Sequence, residues 1–325
     1  MTDRVHITLN GITKEMKGLE IGPSYNPIAP KSDNWNVRTI DHTDQASLVE
    51  KYEKHGVDVT AIEPVDYICN GGNYLEIIPV EEQATFDYVI SSHMIEHTPD
   101  LLSFLHQVEV LLKRGGILTL IIPNKYGCFD FFRPLTTTAD ILYGQPAGSE
   151  RQQRKTAFEN MAYECNCNGK VIWDQSEPDK SFSLNQDIRH IYHVCENIWP
   201  KRDTYIDHHN WKFSPSSFRL IMYELKLLGK TAFVEHAFNA GQHGEFYVQL
   251  KKDPEQLPAT SMEQVNEIRM GYLRQMQNEL LAANRELSAP TPDSNKPTER
   301  FGLIKSLTPP VLHPLLASVY HTFRQ

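Results

Sequence analysis

The sequence predicts an α/β fold in which a parallel sheet is built from strands joined by crossover helices. Short apolar runs alternate with helical patterns over residues 18–122, which is typical of a parallel sheet. The clearest strand is Ile117–Ile122, which Pro123 ends. A glycine turn at Gly22 follows the first apolar run, and Asp41 closes the second. These observations favour a sheet that binds a nucleoside at the carboxyl ends of its first strands.

The first half of the sheet is predicted from short apolar runs. They are Gly18–Ile21, Val37–Ile40, Val65–Ile68, Phe86–Ile90 and Ile117–Ile122. Two helices are predicted between them because apolar residues recur every three or four positions. Asp44–His55 ends before Gly56, and Pro99–Lys113 ends before Gly115-Gly116. Glycine at these positions is a common end of a helix.

Residues 126–204 change character, since they are rich in aromatic, polar and turn residues. We interpret them as an insertion that lies over the carboxyl edge of the sheet, where ligands of open α/β sheets bind. A helix from Ser214-Pro215 to Gly229 then restores the alternation. Thr231–Phe238 and Glu245–Leu250 follow as two strands, which suit an antiparallel hairpin at one sheet edge.

The C-terminal part is predicted to be helical. Ser261–Leu287 has an apolar face, residues 288–299 form a linker rich in proline, and Pro310–Arg324 is a second amphipathic stretch. Residues 261–325 could pack on the protein itself, on a second copy, on a partner or on the inner membrane surface. We divide the chain into segments 1–125, 126–204, 205–252, 253–287, 288–299 and 300–325.

The composition predicts a soluble cytoplasmic enzyme. Hydrophobic residues make up 40% and charged residues 22% of the 325, which is ordinary for such a protein. The net charge of -9, without a run of lysine or arginine, argues against nucleic acid as a partner. No signal peptide or membrane span is predicted, and five cysteines, an odd number, suggest reduced thiols.

The turn after the first strand favours a nucleoside without phosphates. A dinucleotide site needs further glycines that feed a helix N-terminus, whereas Pro23, Pro27 and Pro30 follow Gly22 here. S-adenosylmethionine (SAM) meets this condition, with Asp41 holding the ribose hydroxyls. The predicted cofactor-binding residues are Glu20, Gly22, Asn26, Asp41, His42, Asn73, Tyr74 and Ser91. Asn73 is equally well explained as a turn residue.

The order LEIGP, IDH, FDYVISSHMIEHTPDLLSFL and GGILTLIIPNK resembles class I SAM-dependent methyltransferases. The resemblance covers about residues 15–125 and implies a Rossmann-like, seven-stranded, mostly parallel sheet with helices on both faces. It also implies SAM as cofactor. Two further segments, Phe129–Pro134 and Asp207–Phe218, resemble a bacterial subgroup found with surface-polysaccharide and glycan biosynthesis. This subgroup implies a sugar, a glycan or a nucleotide-sugar as acceptor.

An alcohol acceptor must lose a proton as it is methylated, which favours a histidine as general base. His209 is our first candidate, His93 the second and His97 the third, although packing at a helix start explains His97 better. Residues expected to bind the acceptor are Asp130, Arg133, Asp207, His208 and Trp211. Asp207 is the candidate for orienting His209, and Trp211 is more simply explained as a core residue.

No metal site is predicted. Cys165-Asn166-Cys167 and the His190, His193 and Cys195 group contain zinc-type ligands, but their spacing is not that of a zinc site. Asp130 with His208 or His209 could hold magnesium, although nothing in the sequence requires an ion. Two other functions are retained as alternatives: methylation of a small metabolite, and a non-catalytic SAM-fold scaffold in a glycan-assembly complex.

Overall fold

The computed structural model describes residues 3–54, 56–144, 149–174, 180–198, 208–241, 244–255 and 261–287. The strands in these ranges are β1 (Gly18–Ile21), β2 (Val37–Asp41), β3 (Tyr67–Ile68), β4 (Phe86–Ser92), β5 (Leu112–Pro123), β6 (Cys165–Cys167), β7 (Phe182–Leu184), β8 (Phe233–Asn239) and β9 (Glu245–Lys252). Seven of them form one sheet in the order β3-β2-β1-β4-β5-β9-β8. Strands β1 to β5 run parallel, and β9 lies antiparallel between β5 and β8. The predicted sheet and its antiparallel edge are confirmed.

The α-helices in the described ranges are α1 (Asp3–Thr8), α2 (Gln45–Glu53), α3 (Tyr74–Ile77), α4 (Leu101–Leu111), α5 (Thr138–Tyr143), α6 (Glu150–Tyr163), α7 (Ile188–His193), α8 (Pro215–Leu227) and α9 (Met262–Leu287). Four of them, α2, α4, α8 and α9, begin and end close to the predicted positions. Asp44, Asp100 and Ser214 cap α2, α4 and α8, since each accepts a hydrogen bond from the N–H three residues further on. Side-chain capping thus fixes where the major helices start.

Strand β5 begins earlier than predicted, at Leu112 rather than Ile117. The register against β4 shifts between Phe86 and Tyr88, and Gly115 has a φ of 80°. The glycines therefore form an irregularity inside the strand instead of preceding it. Strand β3 is shorter than predicted and β4 is longer.

Both faces of the sheet are covered. One face packs against α4 and α8, where Phe104 and Phe218 join the main core. The other face packs against α1 and the segment that follows it, with Leu9 and Trp35 in the core and Val5 of α1 packed against them. Helices on both faces and a buried parallel sheet agree with the predicted class.

The segment after β5 has a small core of its own. Helices α5 to α7 and the hairpin of β6 and β7 lie within it. Its aromatic cluster contains Tyr126, Phe131 and Trp173, together with Cys165 and Cys167. All five cysteines are free thiols, as predicted. The division of the chain at 125, 204 and 252 stays a prediction.

Helix α9 is amphipathic, as predicted, and packs on α8. The Glu279 carboxylate accepts hydrogen bonds from the Ser216 N–H at 3.0 Å and from the Ser216 hydroxyl at 2.7 Å, and it also accepts from the Ser214 hydroxyl. A carboxylate at this position offsets the partial positive charge of the α8 N-terminus. Ala283, in the last turns of α9, is buried in the aromatic cluster of the insertion. The helix thus connects α8 with the insertion.

We expect Glu279→Gln to lower the free energy of unfolding by about 1–2 kcal/mol, because hydrogen bonds to a charged group and the interaction with the α8 dipole are both weakened. Urea denaturation followed by circular dichroism measures this change. Glu267→Gln is the matched control, since Glu267 is an exposed residue of the same helix. Equal stability of the two variants would show that the Glu279 contacts do not hold α9 on α8.

None of the helices in the described ranges is long and apolar enough to cross a membrane. The predicted linker 288–299 and the C-terminal segment 300–325 lie outside the described residues. The partners expected for residues 261–325 stay predictions.

Candidate active site

The turn after β1 leaves space beside its backbone. Gly22 has a φ of 66°, and a Cβ atom built on it would meet no heavy atom within 4 Å. Its N–H donates to the Ile40 carbonyl at 2.8 Å, which fixes the turn against β2. Ser24 bends the chain again with a φ of 47°. A ligand atom can therefore approach the main chain at Gly22.

Asp41 ends β2 with its carboxylate directed at this turn. Oδ2 accepts a hydrogen bond from the Ser24 N–H at 3.0 Å. Oδ1 accepts from the His42 N–H at 2.8 Å and lies 2.6 Å from His42 Nδ1. The Asp41 side chain is 3% exposed and that of His42 is 40% exposed. A ribose hydroxyl would compete with the partly exposed His42 ring for Oδ1.

Glu20 is directed at the loop that follows the turn. Its carboxylate oxygens accept hydrogen bonds from the N–H groups of Ile28, at 2.8 Å, and Ala29, at 3.1 Å. Burial raises the pKa of Glu20 to about 7, although the two N–H groups oppose the shift. The structure therefore gives Glu20 a role in holding the loop, whereas the sequence predicted a direct or water-mediated cofactor contact. Asn26 is exposed on the same loop.

Ser91 is a buried hydroxyl at the carboxyl end of β4. It pairs in register with Ile21 of β1, so it lies beside the glycine turn. Its Oγ has no hydrogen-bond partner among the described residues. A buried polar atom without a partner is costly, so this hydroxyl suits a ligand atom.

Asn73 and Tyr74 occupy the start of α3. The Asn73 side chain accepts a hydrogen bond from the Leu75 N–H at 3.0 Å, so Asn73 is the N-cap of this helix. This agrees with its interpretation as a turn residue. The Tyr74 ring packs edge to face with Phe104, with centroids 6.4 Å apart. Their contact with adenine stays a prediction.

His93 follows β4 in a conformation that is unusual for a residue with a side chain. Its φ is 49°. Nε2 lies 2.7 Å from Glu245 Oε2, and Nδ1 lies 3.6 Å from Glu96 Oε1. Arg4 of α1 also binds Glu245, at 3.0 Å. Burial would raise the pKa of Glu245, but hydrogen bonding to His93 and the charge of Arg4 lower it to about 2.

His209 is held by a fully buried carboxylate. Its Nδ1 forms a hydrogen bond with Asp130 Oδ2, and the other Asp130 oxygen accepts from Arg133 at 2.6 Å. Arg133 also donates to the His209 carbonyl at 2.8 Å and to Asn160 Oδ1 at 3.0 Å. Burial would raise the pKa of Asp130, but His209 and Arg133 hold it well below the usual value. The His209 Nε2 atom has no hydrogen-bond partner among the described residues.

The segment that carries His209 docks on the loop after β4. The N–H groups of Asn210 and Trp211 donate to the Glu96 carbonyl, at 2.7 and 3.1 Å. The Asn210 side chain donates to the His97 carbonyl at 2.8 Å, and the Trp211 indole donates to the Thr98 carbonyl at 2.7 Å. These contacts bring the segment after β4 and the His209 segment together, although 113 residues separate the side-chain partners.

A buried cluster results from this docking. One carboxylate oxygen of Glu96 and one ring nitrogen each of His97 and His209 lie within 4.8 Å of one another. The His97 and His209 rings meet edge to face, with centroids 4.6 Å apart. A search of the described residues for three or more metal-type ligands close enough to share an ion finds this group. The cysteines and histidines of the insertion are not part of it.

Two of the expected acceptor-binding residues have other roles here. Asp130 and Arg133 are about 1% exposed and are engaged with each other and with His209, so they position His209 instead of facing an acceptor. The partly buried Trp211 ring packs against the main core, which agrees with the core alternative, and its contact with an acceptor stays a prediction. His208 is partly exposed beside His209, and Asp207 lies outside the described residues. Asp130 contacts His209 Nδ1, and the orienting role predicted for Asp207 stays a prediction.

Glu245, Arg4 and Asn160 belong to the site but were not predicted. Glu245 is 152 residues from His93, and no local motif marks it. Arg4 belongs to a short N-terminal helix that lacks a recognisable pattern. Glu96 lies in the segment FDYVISSHMIEHTPDLLSFL but was not among the predicted site residues.

The strand order, with an antiparallel strand next to the sheet edge and a glycine turn after β1, defines the Rossmann-like class I methyltransferases. The profile of a methyltransferase-domain family matches residues 12–222, about two thirds of the chain. The chain belongs to this family of methyltransferases, and SAM is its cofactor. A comparison with curated proteins gives no match.

Solved structures of SAM-dependent methyltransferases resemble the chain at low identity. One from Aquifex aeolicus is 13% identical with a TM-score of 0.36, and covers 78% of this chain and 94% of its own. One from Methanosarcina mazei is 14% identical with a TM-score of 0.39, over 78% and 99%. One from Mesorhizobium loti is 10% identical with a TM-score of 0.38, over 73% and 90%. The family match, and not these similarities, defines the class.

The residues at the first strand ends fit SAM. Gly22 leaves room for close approach, and the buried Ser91 hydroxyl lacks a hydrogen-bond partner among the described residues. Asp41 places a carboxylate at the neighbouring strand end. The turn does not feed a helix N-terminus, so it lacks the usual place for a pyrophosphate. A nucleoside with an amino-acid tail agrees with these features.

Proposed function

We propose that the protein transfers the methyl group of SAM to a hydroxyl group of a sugar or glycan precursor. The observation that carries the proposal is the buried cluster of Glu96, His97 and His209, with His209 held by Asp130. It lies after β4, on the same sheet edge as Gly22 and Asp41. An alcohol loses its proton during methylation, and a cluster of this kind can accept the proton or offset the charge on the oxygen.

The proposed site has a cofactor side and a hydroxyl side. When bound, the cofactor supplies an electrophilic methyl group on a positively charged sulfur. We assign the cofactor side to Gly22, Asp41 and Ser91, and the hydroxyl side to His209 with His93. Alignment of the two reactants on one rigid sheet edge supplies most of the rate acceleration in a direct displacement.

The sugar acceptor is supported by the sequence resemblance. Phe129–Pro134 and Asp207–Phe218 are the segments that resemble a subgroup found with glycan biosynthesis. In the structure, these segments supply Asp130, Arg133 and His209. The part of the chain that carries the resemblance is thus the part that builds the hydroxyl side of the site.

Incubation with labelled SAM and a panel of nucleotide-sugars, lipid-linked oligosaccharides and polysaccharides tests the proposal, with mass spectrometry to locate the methyl group. Gly22→Val is the control, because a β-branched residue at a φ of 66° is strained and fills the space next to the turn. Transfer to a sugar hydroxyl supports the proposal. Transfer only to small metabolites, or no SAM binding at all, favours one of the two alternative functions.

A further inference from the structure

Glu96 is a buried carboxylate without a hydrogen bond. The residue is 1% exposed, and neither Oε1 nor Oε2 has a hydrogen-bond partner among the described residues. Its nearest ionisable neighbours are His93, with Nδ1 at 3.6 Å, and His97, with Nε2 at 3.7 Å. A carboxylate buried in this way is costly unless a cation or several hydrogen bonds offset its charge.

His209 adds a nitrogen ligand whose orientation is already fixed. Asp130 binds its Nδ1, which leaves Nε2 as the available ligand atom. A carboxylate on the far nitrogen is the arrangement that orients most metal-binding histidines. Asp130 is itself fixed by Arg133, so the ring cannot rotate freely.

We propose that Glu96, His97 and His209 bind a divalent transition-metal ion. Two imidazoles and one carboxylate form a donor set suited to ions such as manganese, iron, cobalt or zinc, whereas magnesium prefers oxygen ligands. Two ligands that are each about 2.1 Å from an ion lie at most about 4.2 Å apart. The longest separation in the cluster, up to 4.8 Å, therefore has to shorten by at least about 0.6 Å on binding.

The role of the ion in the reaction rests on the proposed function. The ion would bind the acceptor oxygen, and the hydroxyl proton would leave to water. The oxygen would keep the electron pair that attacks the methyl carbon, while the carbon–sulfur bond of SAM breaks and its electron pair stays on the sulfur of the demethylated cofactor. His209 would then be a metal ligand and not the general base that the sequence predicted. Three protein ligands leave coordination positions open, as catalytic sites require.

Metal-free protein, prepared by chelation and titrated with Mn²⁺, Co²⁺ or Zn²⁺ without SAM or acceptor, tests the site directly. Calorimetry gives the stoichiometry, and the visible spectrum of Co²⁺ reports its ligands. We expect one saturable site in the full-length protein. Glu96→Gln should abolish it, and Asp130→Asn should weaken binding by roughly 10–100-fold, as for an outer-shell partner.

His106→Ala is the control, because His106 is exposed on α4; it should bind the ions as the wild type does. The proposal is overturned if the wild type shows no saturable metal binding, or if Glu96→Gln binds metal as the wild type does. Neither outcome depends on a measurement of methyl transfer. If the ion binds but no sugar is methylated, the proposed function fails and the metal site stands. If chelated protein methylates a sugar at the normal rate, only the role of the ion fails.

Discussion

Replacing His209 by alanine is expected to lower methyl transfer by roughly 10²–10⁴-fold and to leave SAM affinity unchanged. The residue is 1% exposed, is bound to Asp130 and lies in the Glu96 cluster, so its loss removes the group that we assign to the hydroxyl side of the site. The cofactor side, at Gly22 and Asp41, is built from other strands. Single-turnover kinetics with saturating SAM, together with calorimetry for SAM binding, measure the two quantities separately.

Asp130→Asn provides the graded comparison for this result. Asparagine keeps the size of the side chain but loses the charge that holds the His209 ring, so we expect a smaller loss of turnover than for His209→Ala. The KM for the acceptor should change little, because the buried Asp130 contacts the ring at Nδ1, whereas Nε2 is the nitrogen without a partner among the described residues. If His209→Ala turns over at the wild-type rate, the role of assisting the acceptor hydroxyl passes to His93. His93 is held by Glu245 and also lies next to Glu96.

Replacing Asp41 by alanine is expected to weaken SAM binding by about 1–3 kcal/mol, the cost of leaving a buried polar partner unsatisfied. Asp41 is the acidic residue at the end of β2, beside the open turn at Gly22. It also holds the turn itself through the Ser24 N–H. Both effects reduce affinity, and isothermal titration with SAM measures their sum.

His42→Ala separates these two effects from a general disturbance of the loop. The His42 ring lies at Asp41 Oδ1 and is 40% exposed, whereas the Ser24 N–H binds Oδ2, so removal of the ring leaves the carboxylate and the Ser24 contact in place. We expect SAM affinity to stay the same or to increase. Unchanged affinity in Asp41→Ala, with the melting temperature preserved, would refute the ribose role.

The sheet could be predicted from the sequence because its strands and helices are specified locally. Ile117–Ile122 is apolar throughout, and Asp44, Asp100 and Ser214 cap helices at positions that the sequence marks. The start of β5 was missed because Gly115 usually precedes a strand rather than lying inside it. The pairing with β4 starts at Leu112 and extends β5 across Gly115, and this long-range pairing cannot be read from the local sequence pattern.

The site was predicted only in part because its ion pairs are long-range. His209 was found from its own segment, but its partner Asp130 is 79 residues away. Asp130 and Arg133 are polar residues near a sheet edge, and the sequence does not reveal that they face inward. Their burial is fixed by Asn160 of α6 and by the His209 carbonyl, which only the folded chain brings together.

The way in which the His209 segment is anchored has a consequence for engineering. Every hydrogen bond that Asn210 and Trp211 give to the loop after β4 ends on a main-chain oxygen, at Glu96, His97 or Thr98. The anchor is therefore indifferent to which side chains the loop carries. Substitutions at positions 96 and 97 leave the main-chain acceptors of the anchor in place, so variants at these two positions can be compared without removing the contacts that hold the His209 segment.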